Sequence, residues 1–401
     1  MGNQMNSARD KWEELKLSPD HLEDIRKAMA ARIREGLKTD GGEIKALATY
    51  LPPPSVEYGG RAMVIDIGGT NIRAAIITFS PEGKVIIEKG PTVTPLRSDW
   101  ESAGDFFACQ ADLALSLSPP PGLPIGYCFS YPTTATPDRD GILIRWNKQL
   151  NVPDVVGKKV GNLLLSAFRE KGYGSSNISI LNDTVASLMG ASLEFDAAGE
   201  FSDCIGLIVG TGTNMAAYLP TRLLSAKLLN NDYDHDRMAV NLESGNFYPP
   251  HLSRFDNELD ATRNNTGLQM MEKTVSGRFI PQIFSFIKEG RTSPPYPDTR
   301  DVFNLAYKNG DSPDGELALT LINRSADLVA AGLAGLIDLL NSSGKVGILA
   351  EGGVINNNPE YHSRVREKLA DLLNDKPQSP TRFALLQMEN ANLIGAAAAA
   401  V

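Results

Sequence analysis

Asp66 is a carboxylate in an otherwise Val/Ile strand, and residues 64–71 (V-I-D-I-G-G-T-N) carry it straight into a Gly-Gly-Thr turn. A charged group among apolar neighbours requires a partner such as a metal ion or its water shell. The glycines leave backbone N–H groups open to an approaching phosphate, because no Cβ covers them. Residues 207–214 (L-I-V-G-T-G-T-N) repeat the pattern about 140 residues later, aligning Ile208, Gly212, Thr213 and Asn214 with Ile65, Gly69, Thr70 and Asn71. Two such strand-turn units point to a duplicated fold that grips one polyphosphate from two sides. The first copy alone holds the acid, since Asp66 aligns with Val209.

Other residues that could do chemistry are sparse. Cys109, Cys128 and Cys204 are too scattered for a disulfide framework or a zinc site, and His21, His235, His251 and His362 lack metal-ligand spacing. A net charge of −9 without a Lys/Arg block argues against nucleic acid, so any bound anion is held locally by loops. The apolar runs near Cys204 and Leu336 fall short of the roughly 18 uninterrupted apolar residues of a spanning helix, so no membrane partner is expected. The opening M-G-N-Q-M-N-S has neither a basic-then-apolar signal pattern nor a myristoylation signature, and the expected location is cytoplasmic.

The elements that must position these residues read as α/β. Ser18-Pro19-Asp20 starts a helix whose apolar face is Leu22, Ile25, Met29, Ile33 and Leu37, ending near Gly36. A Pro-rich connector at 51–54 leads into a three-strand antiparallel meander over 61–88. P-I-G-Y-C-F-S-Y-P and G-I-L-I-R-W read as strands ending in polar loops, the usual place for ligands in α/β sheets. Strand I-S-I-L runs into Asn182-Asp183 and a helix; alone, that Asn-Asp is a helix cap. T-G-L-Q-M-M-E-K-T-V-S-G reads as a helix, and residues 317–340 as a long helix whose Ala330, Ala331, Gly332, Ala334 and Gly335 form a narrow face for close packing. A strand K-V-G-I-L-A ending at Glu351-Gly352-Gly353, a further helix and an alanine-rich terminal helix complete the chain.

Taken in order, these stretches resemble the hexokinase family, sugar kinases of the actin-like ATPase superfamily, from Leu17 to the C-terminus. I-D-I-G-G-T-N-I-R matches the family's first phosphate motif and G-L-I-V-G-T-G-T-N its second; F-S-Y-P with G-I-L-I-R-W-N-K matches the sugar loop, and L-N-D-T-V-A-S-L-M the catalytic motif. The resemblance implies a duplicated RNase-H-like (actin/hexokinase-like ATPase) fold of two lobes around a central cleft. The expected division is a helical segment over 1–60 on the large lobe, a small lobe over 61–181 completed by the terminal helix at 388–401, and a large lobe over 182–387.

It also implies ATP-dependent transfer of the γ-phosphoryl group to the 6-hydroxyl of a hexose, with glucose as the expected sugar. Such a transfer needs positioning, charge stabilisation and a carboxylate for the hydroxyl proton. Carried over residue by residue, Asp183 is the base and Lys148 supplies positive charge. Asp66 holds Mg²⁺ through water, while Gly68, Gly69, Thr70, Asn71, Arg73, Thr211, Gly212 and Thr213 cradle phosphate, and Gly352 and Gly353 border the adenosine pocket. Ser130, Asn147, Lys148, Asn182, Asp183, Asn214, Glu243 and Glu272 read the sugar.

Several positions depart from the family pattern: Asn147 stands for Thr, Ala135 for Gln, Ser244 for Trp, Glu351 for Asp, and M-E-N-A-N-L-I-G-A-A follows the C-terminal Asp-Gly-Ser pattern loosely. A sugar sensor that keeps the cleft without turnover is the alternative reading. Hexose and ATP are the expected partners, with monomer and homodimer both open.

Overall fold

The computed structural model describes residues 12–55, 59–82, 84–147, 150–175, 177–224, 226–228, 233–374 and 382–401, with the backbone alone at 195–198. Helix α1 (Pro19–Lys38) starts as expected: Ser18 caps it, accepting the His21 N–H at 3.1 Å, and Pro19 occupies the first turn. Its face of Leu22, Ile25, Met29, Ile33 and Leu37 is buried. The short strand β1 (Leu47–Ala48) follows.

Then come β2 (Arg61–Ile67), β3 (Asn71–Phe79), β4 (Val85–Pro95), α2 (Ala103–Leu115), β5 (Ile125–Phe129), the ribbon β6 (Thr133–Ala135) and β7 (Gly141–Leu143), α3 (Val160–Glu170), β8 (Ile178–Leu181) and α4 (Asp183–Ala198). Strands β2 to β5 and β8 form one sheet in the order β4-β3-β2-β5-β8, with β2 buried on both faces as a near-continuous apolar run requires. The G-I-L-I-R-W stretch departs from expectation. Only Gly141–Leu143 is strand, it pairs with β6 outside the main sheet, and Ile144 and Arg145 turn out to solvent.

The second half contains β9 (Phe201–Val209), β10 (Thr213–Pro220), β11 (Arg237–Asn241), α5 (Arg254–Ala261), α6 (Met270–Val275), α7 (Ile280–Glu289), α8 (Thr299–Lys308) and α9 (Pro313–Leu340). It ends with β12 (Lys345–Glu351), α10 (Gly353–Asn356), α11 (Pro359–Leu372), β13 (Phe383–Leu386) and α12 (Ala391–Ala400). Its sheet runs β1-β11-β10-β9-β12-β13, repeating the order and strand directions of the first sheet with β1 added at the edge. The helix expected over T-G-L-Q-M-M-E-K-T-V-S-G shrinks to Met270–Val275, because Gln269 before it takes φ +57°, outside helical space.

Helix α9 is longer than its uninterrupted apolar run and, by length and composition alone, would cross a membrane. Here 83% of its most apolar window is buried inside the fold, against α1, α8 and α11. Gly335 lets α1 approach it, since a Cβ there would lie 2.5 Å from the Arg26 carbonyl oxygen. The mirror-image join is between α4 and α12, which pack on each other while α12 also covers β2, β5 and β8. Each sheet has its own apolar core, and a third cluster of Val64, Cys128, Leu188, Met189, Ala216 and Leu393 fills the space between them.

Candidate functional site

Both glycine turns sit where the sequence puts them, at the ends of paired strands. The Gly68 N–H donates to the Asn71 carbonyl at 3.1 Å, closing the β2–β3 turn, and the Tyr131 hydroxyl donates to the Gly68 carbonyl at 3.0 Å. Gly69, Thr70 and Asn71 are left exposed. Behind them Asp66 is 4% exposed and lies opposite Arg73 in the antiparallel register. The Arg73 Nε donates to Asp66 Oδ2 at 2.8 Å, and its Nη2 contacts the same oxygen. The partner demanded by the buried acid is therefore Arg73, which the sequence reading assigned to phosphate. Cys128, alongside Asp66 on β5, has its thiol pushed well up by burial and by the Asp66 and Asp183 charges.

At the second turn the Gly210 N–H donates to the Gly212 carbonyl at 2.9 Å. Thr213 is buried, its hydroxyl donating to the Ile208 carbonyl at 3.0 Å, whereas Thr211 is exposed. The Thr213 N–H donates to Glu272 Oε2 at 3.3 Å, so a residue expected to read the sugar and a turn expected to hold phosphate share one hydrogen bond. A Cβ at Gly212 would come 2.7 Å from that oxygen. Gly352 takes φ +111° and lies against Val209 and Gly210, which brings the Gly352-Gly353 turn onto the second phosphate turn.

Three of the residues expected to read the sugar, Asn214, Glu243 and Glu272, lie in two chains of amides and carboxylates. The Asn214 amide donates to Asn241 Oδ1 at 2.7 Å, and the Asn241 amide donates to Glu243 Oε1 at 2.8 Å. Glu243 sits in left-handed backbone, φ +53°, at the end of β11. In the other chain the Asn265 amide donates to Gln269 Oε1 at 3.0 Å and the Gln269 amide to Glu272 Oε1 at 3.3 Å. Beneath it the Lys273 ammonium contacts buried Asp260 and donates to the Asn265 carbonyl at 2.9 Å. Asn241, Gln269, Lys273 and Asp260 were missed by sequence reasoning; the N-x-E and Q-x-x-E spacings around Glu243 and Glu272 were the available signal.

The helix cap that the sequence put at Asn182-Asp183, with Asp183 as the capping residue, is carried by Asn182, its Oδ1 accepting the Val185 N–H at 2.9 Å. Asp183 opens α4, with Oδ1 accepting the Thr184 N–H at 2.8 Å. One turn on, the Ser187 hydroxyl donates to Glu351 Oε2 at 2.7 Å. With its amide oriented to satisfy its neighbours, Asn392 donates to Glu351 Oε2 at 2.7 Å and to the Asp183 carbonyl at 3.1 Å. Burial pushes the Glu351 carboxyl up to about 7, with the charges of Asp183 and Asp66 acting in the same sense and Ser187 and Arg73 opposing.

From the first half come Ser130, half-buried with its N–H directed at the Ile67 carbonyl at 3.4 Å, and exposed Asn147. Lys148 lies outside the described residues. Among the described residues no group of three His, Cys, Asp or Glu side chains could hold a metal ion. A lone buried carboxylate beside an open phosphate turn fits Mg²⁺ that keeps its waters and takes its other ligands from phosphate. Among the described residues Asp66 has that placement, and it is paired with Arg73.

Two family models, both described as hexokinase, match residues 7–193 and residues 204–288 with 315–401. Hexokinase-2 of Solanum tuberosum is 27% identical over 453 residues, covering 96% of this chain and 89% of that protein. A glucokinase of Aspergillus niger is 32% identical over 294 residues, covering 63% of this chain and 57% of the relative. The fold is similar to that of the hexokinase from Schistosoma mansoni complexed with glucose, with a TM-score of 0.77, 23% identity and 98% of both chains covered.

Proposed function

The chain belongs to the hexokinase family and is a hexose phosphotransferase, and from that premise we propose that it moves the γ-phosphoryl group of ATP to the 6-hydroxyl of a hexose, glucose first, with Asp183 as base. A sugar alcohol is a poor nucleophile, so Asp183 takes its proton as the new O–P bond forms and the bond from phosphorus to the β,γ-bridging oxygen breaks, releasing ADP. Lys148 and Arg73 supply positive charge to the transferring group, and the N–H groups of 68–71 and 211–213 hold phosphate oxygens. Gly352 and Gly353 border the adenosine. Asp66 would hold Mg²⁺ through water, and the ion would supply neutralising charge to the phosphates.

Ser130, Asn147, Asn182, Asn214, Glu243 and Glu272 read the hydroxyls. Amides and carboxylates already fixed by one another lose little entropy on binding. The observation that carries this reading is the Thr213–Glu272 hydrogen bond, which sets sugar and phosphate residues in one frame. Closure of the lobes over the sugar would exclude water from the γ-phosphate.

Replacing Asp183 with Ala abolishes glucose-dependent ADP release while the melting curve stays in place. Near-normal turnover of that variant removes Asp183 from the mechanism. A wild-type protein that melts higher with glucose yet releases no ADP is a sensor and not a kinase.

A further inference from the structure

A cavity of about 220 Å³ opens at the join of the two sheets, between β1 and the β6–β7 ribbon. One water requires about 10–15 Å³ of such space, so the cavity holds far more than a hydroxyl group. It shares a wall with the sugar residues: Asn182, next to Asp183, lines it, and so does Asn241, whose amide donates to Glu243.

Three features define what would fill it. The first is room, since Ala48, Ala135 and Gly141 line it and Ala135 stands where the family pattern has Gln. The second is charge. Asp140 is consumed by the N–H groups of Gly141, Gly161 and Asn162 at 2.6, 2.8 and 3.0 Å, and Lys227 faces Asp40 at 3.1 Å and donates to the Lys45 carbonyl at 2.5 Å. With both signs already compensated, an ionic ligand would be desolvated without gaining a partner. The third is mixed polarity: Thr133, Thr134 and Asn182 stand among Leu47, Ile144 and Val185. An amide with a methyl group matches that lining, its N–H and C=O meeting hydroxyls and amides and its methyl meeting aliphatic side chains.

We propose that the substrate range extends to hexoses carrying a small uncharged acylamino group on the ring, with that group seated in this cavity. The inference rests on the reading of Asn182 and Glu243 as sugar ligands given above. The chemistry is unchanged: a sugar hydroxyl gains the phosphoryl group, Asp183 takes the proton, ADP leaves, and the amide is not touched.

The test compares glucose, N-acetylglucosamine and N-acetylmannosamine as phosphoryl acceptors for the wild-type chain and for Ala135→Gln, which refills the cavity. Wild type is expected to use at least one acylated hexose with kcat/KM within about tenfold of glucose, and A135Q to lower that value by about tenfold or more while glucose stays within about twofold, the scale of a pocket misfit. Turnover of glucose with rejection of both acylated sugars overturns the inference and leaves the hexokinase reading standing. Equal loss on every sugar in A135Q, with an unchanged melt, overturns the cavity assignment. Failure of wild type on all three sugars overturns both readings together. Should A135Q not fold, Ala48→Leu fills the same cavity from the opposite wall and is read in the same way.

Discussion

Glu351 offers a quantitative check on how the two halves meet. Its carboxyl is half-buried between Ser187 on α4 and Asn392 on α12, and its pKa rises from the ordinary 4.5 to about 7. The folded chain therefore holds this proton more tightly than the unfolded chain does. The resulting stabilisation is fully present below about pH 4.5 and is lost as pH rises through about 7. At about 1.4 kcal/mol per pH unit, the rise amounts to about 3 kcal/mol lost between pH 4.5 and pH 8. Glu351→Gln keeps the shape and can still accept the Ser187 hydroxyl proton, but it cannot ionise. Urea unfolding of both proteins across pH 4.5–8 should give matching stabilities at the acid end and a variant more stable by up to about 3 kcal/mol at the alkaline end. An offset that is the same at every pH would refute the reasoning, because the folded carboxyl would then titrate as the unfolded one does.

Lys273→Met leaves Asp260 buried without its cation and should cost about 3–5 kcal/mol in thermal or urea unfolding, while Lys273→Met with Asp260→Leu recovers most of it. If Lys273 also positions Glu272 through Asn265 and Gln269, the recovered double variant still shows a raised hexose KM with kcat little changed. Asn241→Ala removes the link between Asn214 and Glu243, and an increase of about tenfold in hexose KM is expected from one lost charged hydrogen-bond partner; an unchanged KM would show that Glu243 holds its place without it.

Much of the fold was legible because its signals are local. The α1 face, the apolar strands and the two glycine turns follow from periodicity and turn chemistry within windows of a dozen residues. The Asp66–Arg73 pair was also within reach, since a tight hairpin turning at 68–70 sets residue 66 opposite residue 73. Assigning each residue its own ligand hid the pair. The Glu351–Ser187–Asn392 node was not legible, as its members are brought together from three distant parts of the chain by the docking of α12 on α4. The strand and helix overcalls at 141–146 and 266–277 share one cause: apolar content was taken for regular structure where left-handed or solvent-turned backbone interrupts it.

The repeated sheets explain why the acids are distributed as they are. In the first copy Asp66 is the penultimate residue of β2 and the helix after β8 opens with Asp183; in the second, the matching places at the end of β9 and the start of α12 are Val209 and Ala391, both buried. By register, Glu351 opposite Ile208 takes the place of Tyr127 opposite Ile65, so the second copy contributes one carboxyl from a different strand, and burial favours its neutral form. Had both copies kept both acids, four carboxylates would repel one another and any bound anion. The second copy lacks both acids, Asp66 is paired with Arg73, and Asp183 and Glu351 are without an ion-pair partner among the described residues; of these two, burial favours the neutral form of Glu351.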